Sequence, residues 1–71
     1  MSTPDPNLIE AVRCLRAAQA LAQEAAVYVQ YAEALSPEDR AEMAHYAAQN
    51  GVHLGLTAAY GARRLLRGGR S

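Results

Sequence analysis

From Leu8 to Leu35, apolar residues return every three or four positions with no Gly or Pro to interrupt them. Leu8, Leu15, Ala22 and Val29 form one heptad column, Ala11, Ala18, Ala25 and Ala32 the next, and Cys14, Leu21, Tyr28 and Leu35 a third. Such spacings gather residues on one side of a helix. The pattern therefore predicts a first helix over 6–35, after a disordered lead over 1–5. The segment "STPDPN" supplies its start. Either Asp5 caps it with Pro6 in the first turn, or Asn7 caps it with Glu10 three residues on as a capping box.

The next punctuation is "LSPEDRAEM". Ser36 suits the N-cap and Pro37 the first helical position, while Glu38 and Asp39 suit the positive end of the helix dipole. So short a joint makes the flanking helices antiparallel neighbours. Beyond it, Asn50-Gly51 could end a helix and leave a third one starting at Val52. Read as one helix over 37–67, however, Ala41, Ala44, Ala48, Gly51, Gly55, Ala58, Ala62 and Leu65 fall on one seam at intervals of three and four. Its flanks are Ala47, Leu54 and Gly61 on one side and Val52, Ala59 and Leu66 on the other. A true break would have no reason to keep this register. Glycine costs about 1 kcal/mol relative to alanine inside a helix, a penalty that close helix packing could offset. The expected fold is all-α: an antiparallel two-helix hairpin with nearly equal arms and a flexible tail over 68–71. Ala18 and Ala25 of the first arm would pack against Ala44, Gly51, Gly55 and Ala58 of the second.

Composition bears on whether such a hairpin stands alone. The chain has 71 residues, one small domain, and is 51% hydrophobic. Sixteen of its residues are Ala, and there is no Phe or Trp. Domains of this size bury a small share of their surface, and an alanine core buries less apolar area still. Self-association or a protein partner is the expected remedy, and the sequence leaves homodimer and hetero-complex both open. The single Cys14 excludes an internal disulfide and suits a reducing, cytoplasmic compartment. The N-terminus resembles no signal peptide, and no window approaches the roughly 20 apolar residues of a membrane span.

Net charge is zero, yet residues 1–42 carry −4 and residues 43–71 carry +4. All seven basic residues are Arg. Arg63, Arg64, Arg67 and Arg70 could neutralise phosphates, which keeps a small DNA- or RNA-binding regulator as the alternative function. Cations in the last turns of a helix also complement its dipole, and in a hairpin these arginines would approach Asp5 and Glu10. A helix-turn-helix reading of 43–66 fails at Thr57 and Tyr60, where a buried aliphatic pair is wanted, and "LGLTAAYGA" offers no side chain to read base edges. His45 and His53 lie eight apart, not the four that sets two ligands on one turn. Cys14 belongs to the apolar face as a small hydrophobe. The histidines have no nucleophile or glycine-rich loop beside them. The expectation is a non-enzyme with no cofactor, no metal and no small-molecule substrate. Tyr46, His53 and Tyr60 share a column, with Leu56 close by, on the side away from the small-residue seam. Exposed tyrosines on a rigid helix are common interface anchors, so these four are the candidate partner-binding residues.

The second arm, "SPEDRAEMAHYAAQNGVHLGL", resembles the small helical-hairpin co-chaperones of type III secretion needle proteins. The shared features are the Ser-Pro-Glu start, an apolar Met43, small Ala47 and Leu54-Gly55-Leu56. The lean hairpin is also similar to Rop-like bundle proteins, whose hairpins pair as dimers. The first resemblance implies a cytoplasmic protein that joins a larger helical-repeat chaperone to keep an aggregation-prone subunit soluble.

Overall fold

A computed structural model describes residues 5–68. Two helices, α1 (Pro6–Val29) and α2 (Pro37–Gly68), pack side by side as an antiparallel hairpin in a rod of 56 × 14 × 11 Å. The second helix runs unbroken through Asn50-Gly51, and no glycine among the described residues adopts a positive φ. The three-helix alternative is thereby excluded. Of the predicted lead over 1–5 and tail over 68–71, residues 1–4 and 69–71, Arg70 among them, lie outside the described residues, whereas Asp5 is the N-cap of α1 and Gly68 is the last residue of α2.

Both helix starts follow from local side-chain chemistry. Asp5 is the N-cap of α1, and its Oδ1 accepts from the Asn7 N–H at 2.9 Å. This settles the choice left open between Asp5 and Asn7, since Glu10 turns instead to Arg13. Ser36 Oγ accepts from the Asp39 N–H at 3.1 Å, and Glu38 and Asp39 occupy the first turn of α2.

The end of α1 corrects the sequence expectation. The helix stops at Val29 rather than Leu35, leaving arms of 24 and 32 residues. Residues 30–36 form the connection. The N–H groups of Gln30, Tyr31 and Ala32 donate to the carbonyls of Val27, Tyr28 and Val29 at 3.2, 3.0 and 3.1 Å, the tight i to i+3 pattern of a frayed last turn. Distance explains it. Packed helices stand about 8–10 Å apart, and a residue spans at most about 3.8 Å, so a joint at Ser36 alone cannot cross over. The first helix gives up nearly two turns, residues 30–35, to make the crossing. Arg40 then ties the joint down, its Nε donating to the Leu35 carbonyl at 3.1 Å.

Two heptad seams face one another. On α1, Leu8, Val12, Leu15, Gln19, Ala22, Ala26 and Val29 are buried or half-buried. On α2 the matching positions are Arg40, Ala44, Ala47, Gly51, Leu54, Ala58, Gly61 and Leu65. Both rows alternate steps of three and four, the repeat of left-handed helix pairs. The alanine column predicted to face α2 is displaced: Ala18 and Ala32 are half-buried, but Ala11 and Ala25 are exposed. On α2, Ala41 and Ala48 are likewise exposed, and the helix has turned towards its Ala47–Leu54–Gly61 flank. Turning that way half-buries Leu54, a larger apolar side chain than Ala41 or Ala48 offers.

Glycines set how close the arms come. A Cβ at Gly61 would lie 2.8 Å from Val12 Cγ2, and one at Gly51 3.7 Å from Ala22 Cβ. At Gly55 it would meet the Gln19 amide, with Cδ at 2.9 Å. Gln19, the one polar residue in the α1 seam, thus sits in the notch that Gly55 leaves.

Candidate protein-interaction surface

The side chains of α2 are sorted by size in the reverse of the usual order. Its buried positions are Ala44, Gly51, Ala58 and Gly61, all small. Six of its eight larger apolar residues, Met43, Tyr46, Val52, Leu56, Tyr60 and Leu66, are 53–70% exposed, while Leu54 and Leu65 are half-buried. Small residues line the seam because the two backbones approach there. Leu56 lies nearly opposite the seam around the helix, with Val52 and Leu66 on one side of it and Tyr46 and Tyr60 on the other. The candidate residues Tyr46, His53, Leu56 and Tyr60 are therefore all on the outer surface of one helix.

Local contacts organise this surface. The rings of His45 and Tyr46 pack tilted at 5.7 Å. The Thr57 hydroxyl donates to the His53 carbonyl at 3.0 Å, which draws that hydroxyl inward against its own helix. His45, Gln49, Val52, His53 and Leu56 line a shallow depression midway along α2. Leu35, Met43 and Tyr46 line a second, more apolar one at the loop end. Towards the open end, the Arg64 guanidinium carbon lies 5.5 Å from the Tyr60 ring centroid, a cation–π contact. Tyr60, Arg63, Arg64 and Arg67 line a third hollow there.

Two placements correct the sequence expectation. Cys14 is exposed on the outer side of α1, not part of its packed face. Glu10 pairs with its own neighbour Arg13, with Arg13 Nη2 donating at 2.6 Å, and not with the arginines of α2. Among the described residues this is the one ion pair. The hydrogen bond from Arg13, and then its charge, hold the Glu10 carboxyl below its ordinary value and raise the Arg13 guanidinium correspondingly.

Column reasoning missed other exposed apolar groups. The heptad columns place Leu21 and Tyr28 on the packed face, yet they are 65% and 68% exposed, and Tyr31 of the linker is 76% exposed. Val52 and Leu66, on the flank of the predicted seam, are exposed as well. The available signal was the Val12–Gln19–Ala26 column, whose polar middle residue disguised it. Among the described residues no helix is long and apolar enough to cross a membrane, and no three His, Cys, Asp or Glu residues group as metal ligands would.

Fold and surface together define an all-α helical hairpin with small residues inside and large apolar ones outside on its longer arm. Comparison with protein-family models, curated proteins and solved structures found no match to this chain.

Proposed function

We propose that this protein is a non-enzymatic protein-binding module, an adaptor or co-chaperone whose hairpin is completed by association with another helical surface. The observation that carries this reading is the inverted sorting on α2. Among the described residues the buried apolar ones are Val12, Ala26, Ala44 and Ala58, while eleven large apolar side chains stay exposed. Covering them is worth roughly 25 cal/mol per Å² of apolar area. Binding then stabilises the folded state by mass action, by about 2.7 kcal/mol at a partner concentration one hundred times Kd. A non-enzymatic role is supported by the scatter of reactive groups, with Cys14 on the outer side of α1 and His45 and His53 eight residues apart on α2. An exposed free thiol suits a reducing cytoplasm. The likeness of the second arm to needle co-chaperones supports a helical client or chaperone as partner.

The test is substitution of the tyrosines. Tyr46→Ala with Tyr60→Ala is expected to keep the helical circular dichroism signal and to lose capture and cross-linking of the bound protein. Undiminished capture would reduce the tyrosines to ordinary surface and remove this reading. Nucleic-acid binding is favoured by one observation, the exposed hollow of Tyr60, Arg63, Arg64 and Arg67. It requires affinity for a DNA or RNA oligonucleotide that falls steeply with added salt. No measurable affinity at low salt would eliminate it.

A further inference from the structure

Resting on the protein-binding reading, we infer that the occupant of the outer α2 face is a second copy of this chain, docked antiparallel about the midpoint of α2. The outer stripe runs Glu42, Val52, Leu56, Ala59, Arg63 and Leu66, all exposed. Val52, Leu56, Ala59, Arg63 and Leu66 follow one another by steps of four and three, the repeat that holds a second helix alongside.

The charges decide which helix that is. The helix spans Pro37–Gly68, so its midpoint falls between Val52 and His53. Turning a copy end for end about that midpoint sets Glu42 opposite Arg63 of the second copy, and Glu38 opposite Arg67 of the second copy. Each pairing occurs twice, as a two-fold interface requires. The same operation sets Leu56 opposite Gln49, Val52 opposite His53 and Ala59 opposite Tyr46 of the second copy, so these three apolar residues each meet a side chain without a carboxylate or guanidinium. Among the described residues neither Glu42 nor Arg63 forms an ion pair within its own chain. The same operation on α1, about its own midpoint in Pro6–Val29, sets Glu24 against Ala11 and Arg13 against Ala22. No charge finds an opposite there. Only α2 is self-complementary.

The hairpin reinforces this polarity. Antiparallel arms bring Glu24, Glu33, Glu38, Asp39 and Glu42 to the loop end, against Arg40 alone. They bring Arg13, Arg16, Arg63, Arg64 and Arg67 to the open end, against Asp5 and Glu10. Two rods side by side and reversed place acid against base at both ends. Area agrees. A compact 7.6 kDa chain exposes about 4,300 Å², whereas this chain exposes 5570 Å². The excess exceeds the roughly 800 Å² that each partner contributes to a standard interface.

The experiment is sedimentation equilibrium on the full chain over about 1–100 µM, a range that brackets the micromolar affinities of modest interfaces, with helicity checked for each variant. Wild type is expected at twice 7.6 kDa. Arg63→Glu alone, or Glu42→Arg alone, sets like charges opposite each other twice and is expected to weaken the dimer at least about tenfold. The double variant restores opposite charges and is expected to return to within about threefold of wild type. A monomeric wild type overturns the second-copy inference, and so does a double variant no tighter than the singles. These failures differ from failure of the underlying reading. A monomer that still captures another protein through Tyr46 and Tyr60 removes the second copy alone, whereas a monomer indifferent to both tyrosines removes the reading as well.

Discussion

Gly61 and Gly55 of α2 sit in different packing environments, and each predicts its own response to alanine. At Gly61 the new methyl would sit 2.8 Å from Cγ2 of buried Val12, a β-branched side chain with little rotamer freedom. Overpacking costs about 1–3 kcal/mol, which outweighs the roughly 1 kcal/mol of helix propensity that alanine adds. Gly61→Ala is therefore expected to lower Tm. At Gly55 the obstructing group is the end of the flexible Gln19 side chain, which can swing out to solvent. Gly55→Ala is expected to hold Tm or raise it. Parallel thermal melts decide, and a Gly61→Ala protein as stable as Gly55→Ala would refute the close approach at Val12. Glu10 shows how little an exposed pair does. Because its folded-state pKa is lowered, its small contribution is present above the ordinary carboxylate range and is lost as pH falls through the lowered value. Arg13→Ala is expected to raise the titration midpoint of Glu10, read by NMR, without a noticeable change in Tm. An unmoved midpoint would mean that the Arg13 contact does not persist in solution.

For each helix, capping was readable because it is local chemistry, and the far end of α1 was not, because it depends on where α2 must lie. Ser36 begins α2 through a hydrogen bond to the Asp39 N–H, with Pro37 and two acids behind it. Ser36→Ala is expected to cost about 1 kcal/mol and to lower Tm by roughly 4–8 °C. A shift near zero would show that Arg40, gripping the Leu35 carbonyl, holds the joint without the cap. The choice of packed face was half legible. Leu8, Leu15, Ala22 and Val29 lie on the true seam of α1. Gln19 interrupted its second column, so the unbroken alanines beside it looked like the better partner. A polar residue can hold a seam position only where the opposite helix leaves it room, and Gly55 leaves that room 36 residues away.

The molecule as a whole is a thin rod with opposite charge at its two ends and its larger apolar groups on the outer faces. Such a body is expected to gain stability by associating. Raising protein concentration tenfold is expected to raise the melting midpoint, and a midpoint independent of concentration would argue for a self-sufficient monomer. Salt provides a second check. The charges at the two ends are exposed, and the Debye length shrinks from about 10 Å at 0.1 M to about 3 Å at 1 M. The association rate is expected to fall with salt. An association rate unchanged by salt would leave the end charges without a role.

By itself the sequence determined two helical arms, the few residues among which each begins and the small-residue side of the second, and it favoured a continuous second arm over a break at Asn50-Gly51. Each rests on interactions between residues a few positions apart. Tertiary structure alone decided where α1 stops and that Gln19 belongs inside while Leu21, Tyr28 and Cys14 belong outside. It also decided that a charge asymmetry along the chain becomes one between the two ends of a rod. These depend on the rotation and separation of two helices. A shift of one position around a helix turns a residue by about 100°, so the winning face is the one whose bumps and notches fit the partner's.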